Sequence, residues 1–114
     1  MTDYTKLTKQ EINSKVADLR GLVIEYLTNK TIFVRCDNEE DSQFKPYNPC
    51  NNPNDWAPLL EELRELGLIK ISADDVFFRK YNESATIAVE ADTLGKAICI
   101  LWLMVKEVSN NEKL

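Results

Sequence analysis

The chain has 114 residues, a net charge of −5 and no histidine. A chain of this length forms one domain around a single core. The lack of histidine excludes Ser–His–Asp and Cys–His catalysis as well as histidine-ligated metal sites. Because the net charge is negative, direct binding of nucleic acid through a basic surface is not expected.

The three cysteines, Cys36, Cys50 and Cys99, lack the Cys-x-x-Cys spacing of a zinc site, and their odd number is not typical of a disulfide framework. The first residues are polar, unlike a signal peptide. The longest apolar run, residues 97–105, is nine residues long, whereas a membrane span needs about 20. We therefore expect a cytoplasmic protein with free thiols and no membrane partner.

The first third of the chain predicts a helix followed by two strands. Thr8 and Glu11 have the spacing of a capping box, and Gly21 provides an end for the helix that they begin. Residues 22–27 and 31–36 are rich in apolar and β-branched residues and predict strands, with a polar turn at 28–30. A single long helix that includes residues 22–27 is the alternative.

The middle of the chain, residues 37–54, has neither helical nor strand periodicity and is predicted to be irregular. It begins with an acidic run at 37–41, which lacks the spacing of an EF-hand loop and is better explained as a solvated loop than as a calcium site. Three prolines and four asparagines follow between residues 45 and 54, a composition typical of turns.

The second half of the chain predicts a helix, three strands and a final helix. The helix begins at Asn54 or Asp55 and ends at Gly67. Short antiparallel strands are predicted at residues 68–71, 76–81 and 85–90. The final helix, from about residue 92 to 108, is apolar on almost all sides, which indicates burial on more than one side.

The predicted fold class is therefore α+β, a single domain spanning residues 1–114. An antiparallel sheet is packed by helices, in the order α-β-β-α-β-β-β-α.

The start of the second helix is the first candidate binding surface. A helix N-terminus can hold an anion, and the aromatic and amide side chains here can stack on a ring or form hydrogen bonds. The candidate residues are Tyr47, Asn48, Asn51, Asn52, Asn54, Asp55 and Trp56. A proline-braced loop that only caps the helix is the favoured alternative, because these residue types dominate ordinary turns.

The last helix is the second candidate surface, and three of its residues are expected to form the interface of a homo-oligomer: Ile100, Trp102 and Leu103. Cys50 precedes a helix start that would stabilise a thiolate, but packing roles are favoured for Cys50 and Cys99. The sequence shows no constellation of carboxylates and no phosphate-binding glycine loop. It predicts no catalytic residue, no metal ligand and no cofactor.

Three segments resemble the NinX-like proteins of tailed phages: MTDYTKLTKQEINSKVA at residues 1–17, YNPCNNPNDWAPLL at 47–60 and AICILWLMVKE at 97–107. The pattern is also similar to the phage ABA-sandwich domain, a small α+β module. The chain departs from the family at Trp56-Ala57, where Ala-Trp is frequent, and at residues 93–97, where Pro-Leu-Arg-Ala-Ala is usual. The resemblance implies a phage or prophage protein made in the cytoplasm of a bacterial host, and it implies no activity.

These features predict a binding module without catalysis that inhibits or sequesters a host protein, for example one of anti-phage defence, or a small-molecule ligand. The acidic middle of the chain, with a charge of −6 over residues 37–66, favours a basic surface on such a protein. A small hydrolase that uses Asp or Glu with a metal ion and a structural homo-oligomer are the alternatives.

Overall fold

The computed structural model describes residues 3–27, 32–36 and 45–112, and within them the fold class is α+β, as predicted. A short 3-10 helix, Tyr4–Lys6, precedes the regular elements. The helices are α1, Lys9–Leu19; α2, Pro53–Leu66; and α3, Leu94–Glu112. The strands are β1, Leu22–Leu27; β2, Ile32–Cys36; β3, Lys45–Tyr47; β4, Gly67–Ser72; β5, Asp75–Lys80; and β6, Ile87–Glu90.

The strands form two antiparallel sheets of three strands, in the orders β1-β2-β3 and β4-β5-β6. The predicted antiparallel pairing is confirmed, and the strands are divided between two sheets because each group of consecutive strands pairs locally and α2 separates the two groups. The predicted turn at 28–30 and the acidic run at 37–41 lie outside the described residues.

Strand β3 departs from the prediction, since residues 45–47 belong to the segment expected to be irregular. Lys45 pairs with Val34, and Tyr47 pairs with Ile32. Pro46 has no backbone N–H to donate, which restricts such a residue to an edge strand, and β3 is an edge strand. A three-residue strand with a central proline has no periodicity of its own, so only its pairing with β2 reveals it.

The helix ends follow local signals closely. The capping box is confirmed: the Thr8 hydroxyl accepts from the Glu11 backbone N–H and the Glu11 carboxylate accepts from the Thr8 N–H, both at 3.1 Å. Gly21, with φ of +76°, follows the last turn of α1. Because β1 pairs with β2 along residues 22–27, the alternative of one long helix is wrong.

Helix α2 begins earlier than predicted. The Asn52 side chain accepts a hydrogen bond from the Asn54 backbone N–H at 3.1 Å, so Asn52 rather than Asn54 or Asp55 is the N-cap. Pro53 then occupies the first helical position, where its missing N–H costs nothing. As predicted, Gly67 ends the helix.

Helix α3 lies at the centre of the molecule, where it packs against α1, α2, β5 and β6. All seven residues from 97 to 103 are at most 2% exposed. The predicted burial of this helix on more than one side is confirmed, and the other elements of the same chain provide it. None of the helices in the described ranges has the length and apolar character needed to span a membrane.

Candidate functional site

The segment of residues 48–52, called here the Asn loop, is held by hydrogen bonds to the start of α2. The Asn48 backbone N–H donates to Asp55 Oδ2 at 2.9 Å, and the Asn48 carbonyl accepts from the Asn52 N–H at 2.8 Å. The Asn51 side chain donates to Asn48 Oδ1 at 3.3 Å. The polar groups that made this loop a candidate ligand site therefore bond largely to each other.

A buried asparagine of α1 ties the Asn loop to the first helix. Asn13 Nδ2 donates to Asn48 Oδ1 at 2.9 Å, and Asn13 Oδ1 accepts from the Cys50 backbone N–H at 3.1 Å. Asn13 was not among the predicted site residues, although it lies beside Ile12 and Val16 on the buried face of the helix. A polar residue on an apolar helix face is the signal that would have found it.

Helix α3 holds the other side of the Asn loop. The Thr93 hydroxyl donates to the Cys50 carbonyl at 2.8 Å and accepts from the Lys96 backbone N–H at 3.2 Å. Gly95 packs directly on the loop backbone, where a Cβ would lie 2.4 Å from the Cys50 carbonyl oxygen. The loop thus joins all three helices, which supports the structural explanation of its composition.

The remaining candidates of this segment differ in their surroundings. Asn54 is exposed at the start of α2, and Trp56 is half-buried and packs against the core. The structure places the seven candidates in one region, and their role in binding a ligand stays a prediction.

Replacing Asn13 by alanine tests the structural role of the loop. We expect the free energy of unfolding to fall by about 2 kcal/mol, because the buried Cys50 N–H loses its acceptor. Urea unfolding followed by circular dichroism measures the loss. Ser14→Ala, one residue further on and half-buried, is the matched control and should leave stability within about 0.5 kcal/mol. Equal stabilities of the two variants would contradict the assigned role.

Tyr47, the last residue of β3 before the Asn loop, is buried, and its hydroxyl meets the geometric criteria for a hydrogen bond with none of the described residues. Burial raises the pKa of the phenol to about 12, although the nearby Arg20 guanidinium acts in the opposite direction. Arg20 is thus close enough for its guanidinium to act on the hydroxyl.

The two described thiols, Cys50 and Cys99, are both fully buried, and no disulfide bond links them. Burial raises the pKa of the Cys99 thiol, and the adjacent Cys50 thiol raises it further. Cys50 Sγ donates weakly to the Lys9 carbonyl at 3.7 Å. These surroundings support packing roles for both residues.

The three residues expected on an outer face of α3 are almost completely buried. Ile100, Trp102 and Leu103 are 1%, 2% and 1% exposed, so their placement at an oligomer interface is corrected: α1, α2 and the second sheet cover α3 within one chain. The Trp102 indole N–H donates to Glu62 Oε2, and Lys106 Nζ lies 5.5 Å from the centroid of the indole ring.

The exposed apolar side chains concentrate on β4 instead. Of four large apolar residues with high exposure among those described, two belong to this six-residue strand: Leu68, 51% exposed, and Ile71, 38% exposed. Strand β4 is an edge of its sheet. The opposite edge, β6, is flanked by the 3-10 helix across a cleft of about 330 Å³.

Two exposed cations lie beside Leu68 on the outer face of the sheet. Leu68 pairs with Arg79 and Lys70 pairs with Phe77, so the four side chains share one face. Lys70 and Arg79 are exposed, and neither forms an ion pair within the described part of the chain. Within that part, no three Cys, Asp or Glu side chains are grouped so that they could hold a metal ion.

Comparisons with protein-family models, with curated proteins and with solved structures find no match to this chain.

Proposed function

We propose that the chain is a binding module without catalysis that takes up an extended, acidic segment of another protein as an added strand beside β4. The observation that carries this proposal is an edge strand with two exposed apolar side chains and an unpaired lysine. The acidic middle of the chain, residues 37–66, favoured a basic partner surface; its most acidic run, 37–41, lies outside the described residues, and the proposal rests on β4 instead.

The backbone of an edge strand provides the affinity. Along β4, the N–H and C=O groups that point away from β5 have no strand partner among the described elements. A peptide that pairs with all six residues would run for about 20 Å along the edge. Such strand addition is an established mode of peptide recognition.

The side chains of β4 define the sequence that this partner segment should have. Ile69 and Ile71 lie on the inner face of the sheet, while Lys70 lies on the outer face. An added strand would cover the exposed flank of Ile71 with an apolar residue and place the next residue beside Lys70. Because that lysine is unpaired, an acidic residue fits there. The partner segment therefore alternates apolar and acidic residues.

The phage resemblance implies a setting for this proposal, the cytoplasm of a bacterial host, although it implies no activity. A small phage protein that captures an extended segment of a bacterial protein in the host cytoplasm would block whatever that segment normally contacts. Inhibition by occupation needs no catalytic group, and it requires only that the captured segment be accessible in the host protein.

A synthetic peptide tests the proposal directly. The probe is a fluorescein-labelled, end-capped peptide of alternating glutamate and valine that matches the length of β4. We expect fluorescence anisotropy to show saturable binding, and Lys70→Glu to weaken it at least about tenfold, since a like charge replaces an opposite one. Lys15→Glu, an exposed lysine of α1, is the matched charge control and should bind as the wild type does.

Three outcomes would refute the proposal. The first is no saturable binding by the wild type. The second is equal affinity for a lysine–valine peptide, because the charge of Lys70 would then have no role. The third is a wild-type mass of two chains in light scattering that falls to one chain in Lys70→Glu, because β4 would then pair with a second copy of itself.

A further inference from the structure

A polar cleft lies where the C-terminal end of α1 meets α2 and α3, and no residue of β4 lines it. It has a volume of about 390 Å³, within the range of small-molecule sites. The cleft is lined by Leu19, Arg20, Glu62, Trp102 and Lys106. Three helices thus contribute charged side chains to one concave surface, although these residues are far apart in the sequence.

The charges in the cleft are arranged to favour an anion. Arg20 and Lys106 contribute two positive charges, and neither forms an ion pair with a described residue. The one carboxylate, Glu62, accepts a hydrogen bond from the Trp102 indole N–H, which satisfies part of its acceptor capacity. The buried Trp102 ring also positions Lys106, whose ammonium group lies 5.5 Å from its centroid.

The side chain of Tyr47 lies behind this cleft rather than in its lining. Its hydroxyl is buried close to Arg20, but Tyr47 is not among the residues that line the cleft. The two cations, Arg20 and Lys106, therefore carry the site.

We infer that this cleft binds the carboxylate or phosphate group of a small molecule between Arg20 and Lys106. A planar guanidinium provides two parallel hydrogen bonds to such an oxyanion, and the ammonium of Lys106 adds a point charge. This site is independent of β4, so the chain can bind a small anion and a partner segment at separate places.

Two-dimensional NMR of the ¹⁵N-labelled protein tests this inference through the tryptophan indole signals. The probes are inorganic phosphate and succinate, each added at constant ionic strength with sodium chloride. We expect the Trp102 indole N–H signal to shift with a saturable dependence on at least one probe, while the Trp56 signal stays in place. Trp56→Phe assigns the two signals. The probe that saturates decides between phosphate and carboxylate.

Variants of the cleft sharpen the test. Arg20→Gln and Lys106→Gln should each weaken the apparent affinity at least about tenfold, and Lys15→Gln should leave it unchanged. Shifts that grow linearly without saturation, equal shifts of both indoles, or unchanged binding by Arg20→Gln would overturn the inference.

Discussion

Replacing Trp102 by alanine should lower the free energy of unfolding by about 3–5 kcal/mol, the largest loss that we expect from a single side chain here. The indole is 2% exposed in the central helix, and its N–H donates to Glu62. The substitution removes buried apolar area and leaves a cavity. Because a small domain has a total stability of about 5–15 kcal/mol, the variant should unfold at much lower urea concentration.

Two further variants separate packing from the other possible roles of Trp102. Glu62→Gln keeps an acceptor for the indole N–H and should cost less than about 1 kcal/mol. Trp102→Glu should unfold the chain rather than dissociate an oligomer, because a charge would be placed in the core. A Trp102→Ala protein with wild-type stability and a lower mass in light scattering would instead restore the interface assignment.

Local signals in the sequence were sufficient for most of the helix and strand positions. The Thr8–Glu11 capping box and the Gly67 helix end depend on residues within one turn, so they are readable without tertiary contacts. The apolar pattern of α3 also predicted its burial on several sides correctly. The pattern does not tell which elements cover the helix. Residues that other elements of the same chain bury were therefore predicted to form an oligomer interface.

Features that depend on pairing between distant segments could not be predicted from local sequence signals. Strand β3 exists because residues 45–47 pair with β2, and its proline removes any strand signal. The division into two sheets depends on which strands meet, a property that the spacing of apolar residues does not encode. A short strand was predicted at residues 68–71, but only the strand order shows that β4 is an edge.

The candidate sites also differ in how far local sequence signals could predict them. The composition of the Asn loop predicted a polar, turn-rich segment, yet the partners of its polar groups, Asn13 and Thr93, come from distant parts of the chain. The cleft was missed because Arg20, Glu62 and Lys106 carry no spacing that connects them. A charged residue on a helix is usually solvated, and only the packing of three helices brings these together.

Replacing Gly95 by alanine should destabilise the protein by about 3 kcal/mol, although the same change in an exposed helix normally stabilises by about 1 kcal/mol. The new methyl group would lie 2.4 Å from the Cys50 carbonyl oxygen and 2.7 Å from that of Pro49. Both are backbone atoms in a loop anchored by Asn13 and Thr93, so they cannot rotate away as a side chain could. Helix α3 must therefore shift from the Asn loop.

Urea unfolding should measure whether Gly95→Ala raises or lowers the free energy of unfolding. Helix propensity favours alanine, whereas the steric contact with the Asn loop disfavours it. Gly21→Ala is the control for a glycine with a different requirement. Its φ of +76° is unfavourable for alanine, but no atom lies within 4 Å of the added Cβ. We expect a cost of about 1–2 kcal/mol there, from the backbone conformation alone. A Gly95→Ala protein more stable than the wild type would show that the loop moves freely, and the assigned junction of the three helices would be wrong.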